Sequence, residues 1–585
     1  MRNKKMLALL LTGTIIAGTL TACSKADDKT TTMQEASQVM NMDLSSYSSK
    51  WSYNETYQAY VLENVVYCAN PVDSTLQSMN IYVPAAYMNQ DGSIKEDGSV
   101  KNSNGVTYTA SNAPIVYSNG VWGYSEAKPG TIDDTTAEYV QSGYILVCVG
   151  SRGKESVNAD GTYTGKAPEG LVDLKAGIRY LKSNNSKMAG DANKIISVGL
   201  SAGGAMSALL GTTGNSEDYN SYLEEIGAVM SETDDIYGTM AYCPITNLEN
   251  SDITYEWMFS SDKDYSGNAG VNRRQNSNDS SNSGSSDKKG NMANGASSNK
   301  GAMANSNLTD EEKQAMRGNR NNGGSATAEE TALNAFQLQL SSDLASMYPS
   351  YINSLNLGLT LGDDGRSGTY YESMMKVLSD ALNSYLKSNY KTAKEKTDYI
   401  ATLNEKGEWV NWDEKTETAS ITDLDKFVTN YLGRAKAVPG FDAIDSSAQE
   451  NKLFGTDSTD LGHFSTSLAE TLTKNDYSSL DGYDASAVSS FSSVLSDTEL
   501  QERVALMNPF NYIGTKKEST ISPYFRIRVG TQDADSAFAT AFNLATALEN
   551  QNIDVDYEML WGQGHRVMET SGEFVKWIDE ICNQK

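Results

Sequence analysis

Residues 195–204 read Ile-Ile-Ser-Val-Gly-Leu-Ser-Ala-Gly-Gly, and this stretch narrows the possible folds more than any other. Ile195, Ile196 and Val198 are β-branched and suit a buried strand. Gly199 and Gly203 permit a tight turn and a close approach of the backbone. The small residues of 204–210 open a helix. A strand that turns at once into a helix lying back upon it belongs to a sheet whose faces are covered by helices. Ser201 stands at the bend, where the helix N-terminus aims unpaired N–H groups.

The rest of the chain supplies the sheet. Short apolar strands are expected at residues 60–67, 79–83, 114–118, 145–149 and 238–242, and later at 524–529 and 555–559. Leu171, Leu174, Ile178 and Leu181 line one face of a helix at 171–181. Asp91-Gly92 and Asp97-Gly98 predict hairpin connections among the early strands, and they lack the alternating oxygen ligands of a calcium loop. Helical patterns fill 333–347, 374–386, 424–432 and 536–548. A last helix carries Phe574, Trp577, Ile578 and Ile581. The simplest architecture is one α/β sheet in two parts, residues 51–246 and 508–585. A mostly helical insertion, residues 247–507, interrupts it. Placed there, the insertion covers the strand ends where α/β sites form.

Composition bears on surroundings rather than on fold. The chain has 75 acidic and 47 basic residues among 585, a net charge of −28. Such a charge repels phosphate backbones and argues against nucleic acid as a partner. Arg2, Lys4 and Lys5 precede an apolar run that ends at Leu20-Thr21-Ala22-Cys23. Residues 1–22 read as a secretory signal. The pattern resembles that of a bacterial lipoprotein, with Cys23 as the lipidated first residue, an extracellular location and attachment to the membrane. Polar residues 23–50 then read as a tether. Residues 260–328 are rich in Asn, Ser, Gly, Lys and Asp. They hold too little apolar surface to offset their ordering entropy, so a disordered segment within the insertion is expected. Cys68, Cys148, Cys243 and Cys582 show no metal spacing. Cys148 and Cys243 fall in apolar runs as small buried hydrophobes. No cofactor or metal is implied.

Strand, G-x-S-x-G and helix together form the context of a nucleophile elbow. A serine hydroxyl needs a general base, and the chain holds two histidines. His565 follows the 555–559 strand in the loop Trp561-Gly562-Gln563-Gly564-His565. His463 lies inside the insertion. The α/β-hydrolase order of serine, acid, histidine selects His565 and leaves His463 a structural role. The acid belongs after the 524–529 strand, in Thr531-Gln532-Asp533-Ala534-Asp535. Both aspartates qualify, because alternate residues of an extended segment face one way. Asp535 also suits the cap of the following helix. Ala202 N–H is one oxyanion donor. A second is expected from the loop Asn119-Gly120-Val121-Trp122-Gly123, at Gly120 or Val121.

Longer motifs then carry a resemblance. Asp173-Leu174-Lys175-Ala176-Gly177-Ile178-Arg179-Tyr180-Leu181, Gly199 through Gly204, Tyr242-Cys243-Pro244-Ile245-Thr246-Asn247-Leu248 and Tyr255-Glu256-Trp257 resemble bacterial tannases. So do Gly433-Arg434-Ala435-Lys436-Ala437-Val438-Pro439 and Glu450-Asn451-Lys452-Leu453-Phe454-Gly455. The resemblance implies an α/β-hydrolase with a helical lid that cleaves galloyl esters. It assigns Ser201 as nucleophile, His565 as base and Asp533 as acid. It assigns Lys436, Glu450 and Asp535 to the galloyl hydroxyls, and Ile245 to packing against the ring. From composition alone, Lys436 and Glu450 would form an exposed lid ion pair. The chain departs from fungal tannases in having no cysteine beside Ser201 or His565. The expected partner is a small phenolic ester. The competing expectations are a broader phenolic-ester or feruloyl esterase, and a non-catalytic surface lipoprotein that captures ligand.

Overall fold

The structure is a computed structural model. It describes residues 41–267, 330–567, 569–570 and 572–583. The signal, Cys23 and most of the Asn/Ser-rich segment lie outside the described residues.

Nine strands form the main sheet: β1 (Ser52–Asn54), β2 (Ala59–Val66), β3 (Ser78–Pro84), β4 (Ile115–Asn119), β5 (Ile145–Val149), β6 (Ile195–Leu200), β7 (Gly238–Tyr242), β8 (Tyr524–Gly530) and β9 (Asp554–Leu560). Their spatial order is β1-β2-β3-β5-β4-β6-β7-β8-β9. β1, β2, β3 and β5 pair antiparallel. Every pair from β5 to β9 is parallel. The central strands are buried along nearly their whole length, as in β5 and β3. Such strands read as continuous apolar runs because helices cover both faces.

The helices used below are α1 (Glu169–Ser183), α2 (Ala202–Thr212), α3 (Ser251–Phe259), α4 (Ala335–Ser354), α5 (Gly368–Asn389), α6 (Gln449–Leu453), α7 (Phe538–Glu549) and α8 (Glu573–Cys582). Residues Leu171, Leu174, Ile178 and Leu181 of α1 are all fully buried, each worth about 1.5–3 kcal/mol of burial. The α8 helix is fixed by Asp579, which accepts from Tyr108 at 2.8 Å, Tyr144 at 2.7 Å and Asn102 at 2.8 Å.

One expectation needs correction. The hairpin Ser99–Lys101/Thr107–Thr109 turns at residues 102–106, after Asp97-Gly98 rather than at it. Within the mostly helical insertion, Val410–Asp413 pairs with Thr418–Ile421. Asp264–Tyr265 pairs antiparallel with Thr331–Ala332. Among the described residues no helix is long and apolar enough to cross a membrane.

Candidate active site

Parallel register brings four loops to one edge of the sheet. Leu200 pairs with Tyr242, Tyr242 with Arg528, and Gly530 with Leu560. The residues that follow these strand ends therefore emerge side by side, although Ser201 and His565 are 364 positions apart in the chain.

Ser201 takes φ +61° and ψ −121° between β6 and α2. A non-glycine residue pays a steric cost there, and such strain marks functional sites. The turn is held by Ser201 N–H donating to Tyr242 O at 2.9 Å. Glycine is required at 203. A Cβ there would fall 2.6 Å from Asn119 Oδ1 and 2.9 Å from Val121 O.

Ser201 Oγ lies 2.7 Å from His565 Nε2. On the other side of the ring, His565 Nδ1 lies 3.0 Å from Asp533 Oδ2. Asp533 is fully buried. Its carboxylate also accepts from the N–H groups of Asp535 and Ser536, both at 3.0 Å, and from Ser536 Oγ at 2.6 Å. Burial opposes the charge of Asp533, but His565 and the Ser536 bonds outweigh it and hold the carboxyl at about 2. Burial likewise works against the imidazolium of His565. The Asp533 charge and hydrogen bond, and then Asp535, overcome it and raise the imidazole above its ordinary value.

The two aspartates thus separate. Asp533 takes the turn-capping role that sequence gave to Asp535, while α7 begins after Ala537 with no side-chain cap. Asp535 faces elsewhere: its carboxylate lies 3.1 Å from Lys436 Nζ and 3.4 Å from His565 Nε2. Burial opposes the Lys436 charge, but Asp535 and Glu450 reverse that and raise the ammonium above its usual range.

Glu450, on α6, is buried, and burial raises its carboxyl against the pull of Lys436. An exposed Lys436–Glu450 ion pair is therefore not what forms. The ammonium bonds Asp535, and Glu450 stays close enough to act through its field. Ile245 is buried beside the nucleophile turn, with its N–H 3.5 Å from Ser201 O and its carbonyl accepting from Tyr124 at 2.8 Å.

The loop after β4 is tied to the elbow through Asn119. Asn119 Nδ2 reaches Gly203 O at 3.2 Å and Ser207 Oγ at 3.1 Å, which staples the loop to α2. Ala202 opens α2, and a first-turn N–H has no intrahelical acceptor. Val121 N–H makes a long 3.4 Å contact with Asn119 Oδ1. The lid reaches the same loop: Lys154 Nζ donates to Gly123 O at 2.6 Å and lies 3.4 Å from Gln449 Oε1 on α6.

Sequence reasoning missed Asn119, Ser536 and the contribution of Cys243. An asparagine at a strand end and the Asp-x-x-Ser spacing of 533–536 were visible signals for the first two. Cys243 does not sit within a strand. It follows β7 at φ +44°, with its N–H donating to Arg528 O at 2.7 Å. Its sulfur lies beside Asp533 and His565, with donor atoms of the three within 4.8 Å of one another. Nothing local in the sequence announced that contact. The loop that carries His565 is anchored by Glu569, which accepts from Arg528 Nε at 2.9 Å and Tyr242 OH at 2.7 Å. His463 lies away from this chain, 2.7 Å from Asp442 within the lid.

Comparison with known proteins follows the same lines. Residues 109–280 match the family model BD-FAE. Esterase LipC of Mycobacterium tuberculosis is 41% identical over 58 residues, 10% of this chain and 14% of that protein. A tannin acyl hydrolase solved in complex with ethyl gallate superposes with a TM-score of 0.65 at 28% identity, covering 90% of this chain and 94% of that one. The tannase of Fusobacterium nucleatum superposes with a TM-score of 0.68 at 31% identity, covering 90% of this chain and 95% of that one. With that identity carried across nearly the full length of a bacterial tannase, the chain belongs to the bacterial tannase family of α/β-hydrolases.

Proposed function

We propose that the protein is a carboxylic ester hydrolase that releases gallic acid from galloyl esters through a serine acyl-enzyme. One observation carries this reading. The Ser201–His565–Asp533 chain and the Lys436–Asp535 pair share a loop, since Asp533 and Asp535 lie two residues apart and face different partners. Chemistry and recognition are therefore held by the same turn. The tannin acyl hydrolase that holds ethyl gallate supports the substrate class.

Ser201 attacks the galloyl carbonyl while His565 Nε2 takes its proton. Asp533 fixes the tautomer with the proton on Nδ1 and stabilises the imidazolium that forms. Ala202 N–H and the 120–121 loop face the developing oxyanion. His565 then passes the proton to the leaving alcohol. A water molecule, deprotonated by the same nitrogen, frees gallate. Three adjacent phenolic hydroxyls present both donors and acceptors. An ammonium at 436 and carboxylates at 450 and 535 satisfy them together.

The test is hydrolysis of methyl gallate, methyl ferulate and p-nitrophenyl acetate by the parent and by Ser201→Ala. The expected result is activity lost with Ser201 and a strong preference for methyl gallate. Near-parental turnover by Ser201→Ala would falsify the mechanism. Equal rates on all three esters would leave an esterase without galloyl recognition.

The address of the protein belongs to this proposal too. The Arg2/Lys4/Lys5 region, the apolar run and Leu20-Thr21-Ala22-Cys23 support a lipidated, extracellular, membrane-attached enzyme. Incorporation of labelled fatty acid into the parent but not into Cys23→Ala is expected, and equal labelling of both would refute it.

A further inference from the structure

Cys243 takes no part in the proposed hydrolysis, yet its position is closely determined. The strand pairing that ends β7 holds it at φ +44°, and its N–H is bonded to Arg528 O at 2.7 Å. Strain of this kind persists only where the surroundings over-determine it. The result places a thiol beside the buried Asp533–His565 pair. One donor atom each from Cys243, Asp533 and His565 lies within 4.8 Å of the other two, and all three residues are buried.

Sulfur, imidazole nitrogen and carboxylate oxygen form a donor set suited to Zn2+ and its chemical relatives. In a tetrahedral site, bonds of about 2.3 Å to sulfur and about 2.0 Å to nitrogen and oxygen separate the ligand atoms by about 3.2–3.8 Å. His565 Nδ1 and Asp533 Oδ2 already stand 3.0 Å apart, close to one edge of that tetrahedron. The carboxylate is oriented by Ser536 Oγ and two backbone N–H groups, so its direction does not depend on His565 alone. Among the described residues no other such group of three occurs.

We propose that Cys243, Asp533 and His565 together form an inhibitory binding site for a thiophilic divalent cation of the Zn2+ class. The proton balance explains why occupancy stops the reaction. In the working state the imidazole proton sits on Nδ1, facing Asp533, and the Nε2 lone pair faces Ser201. A cation bound to Nδ1 displaces that proton, and the neutral ring keeps it on Nε2 instead. Nε2–H has no lone pair with which to take the proton of Ser201. The thiol binds as thiolate and releases its own proton to solvent. One proton is therefore released for each cation bound to the neutral-histidine enzyme, and apparent affinity rises about tenfold per pH unit.

Burial, and then the Asp533 charge, push the thiol well up, so the cation rather than the solvent must remove that proton. The other charged or titratable groups facing the trio are Asp535, paired with Lys436, and Tyr557 on β9. Lys436 and Tyr557 are both held above their ordinary values.

The inference builds on the hydrolase reading, but its main test does not depend on turnover. Purified Ser201→Ala protein, which keeps all three donors, is titrated with Co2+ as a spectroscopic stand-in for Zn2+. A near-ultraviolet thiolate-to-Co2+ charge-transfer band is expected. It should disappear with EDTA and be absent from Ser201→Ala/Cys243→Ser. In the parent enzyme, Zn2+ should inhibit methyl gallate hydrolysis reversibly, with the inhibition constant falling about tenfold from pH 7.5 to 8.5. Cys243→Ser should raise that constant at least about tenfold relative to its own metal-free rate. A Ser201→Ala protein without the band overturns the proposal, as does Cys243→Ser inhibited at the parental Zn2+ concentration. If Cys243→Ser does not fold, the Ser201→Ala spectrum alone decides. If the parent hydrolyses no ester but the band appears, the cation site stands and the hydrolase reading falls.

Discussion

Replacing Glu256 by glutamine tests how the lid holds Lys436. Arg434 and Glu256 are both fully buried. The guanidinium grips the carboxylate with two bonds, Nη1 to Oε2 at 2.8 Å and Nη2 to Oε1 at 2.5 Å. Its Nε donates to Lys436 O at 2.7 Å, and Ser341 Oγ donates to Glu256 at 2.6 Å. Tyr255 completes the clamp. Its hydroxyl accepts from Lys436 N–H at 3.1 Å and donates to Ala534 O at 2.9 Å. Glu256→Gln keeps the shape but strands a buried guanidinium, and breaking such a pair costs about 3–5 kcal/mol. That is a large part of the roughly 5–15 kcal/mol by which domains are stable. The expected result is a lower denaturant midpoint with an unchanged slope. Glu256→Gln/Arg434→Met should recover part of the loss, because no unpaired charge remains. The KM for methyl gallate should also rise more than that for p-nitrophenyl acetate, since in the proposed function only the former contacts Lys436. A cost below about 1 kcal/mol, or a double mutant weaker by the sum of its parts, would refute the argument.

Three further outcomes are expected. Activity requires neutral His565, whose value is raised by Asp533 and Asp535. The acid limb of kcat/KM should therefore have its midpoint above 6.5, and Asp533→Asn should lower kcat by ~10^4 and move any residual limb to lower pH. The same shift acts on stability with the opposite sense. The protonated imidazole favours the folded state below 6.5, and that contribution fades as pH rises through the raised value, which denaturation at several pH values would show. Gly203→Ala forces a Cβ to within 2.6 Å of Asn119 Oδ1, displacing the oxyanion loop. kcat should fall about 10^2-fold with little change in KM, and an unchanged kcat would remove the loop from the mechanism. His463 bonds Asp442 at 2.7 Å, and Asp442 in turn bonds Asn451, the neighbour of Glu450, at 2.7 Å. His463→Gln should raise KM for methyl gallate roughly 5–30-fold and leave p-nitrophenyl acetate hydrolysis nearly unchanged. Equal losses on both esters would make His463 a stabilising residue only.

Local pattern in the sequence determined much of this protein. The strand spans, the elbow at Ser201 and the loop carrying His565 were legible because β-branched runs, glycine turns and apolar periodicity act over a few residues. The order of serine, acid and histidine needed no more than the succession of those elements. Local pattern left the two aspartates open, and the resemblance alone told them apart; tertiary structure set which partners each one meets. Asp533 and Asp535 are alike in sequence, and only the packing of Ser536, His565 and Lys436 around them sets one deep against the imidazole and the other against the lid. It also decided that Glu450 is buried, that Lys436 pairs with Asp535, and that Arg434 clasps Glu256 across 178 residues. The thiol of Cys243 behind Asp533 belongs to the same class. Each of these is a contact between distant segments. A side chain's charge partner and solvent exposure are set by the segments folded against it, and its chain neighbours carry no record of which those will be.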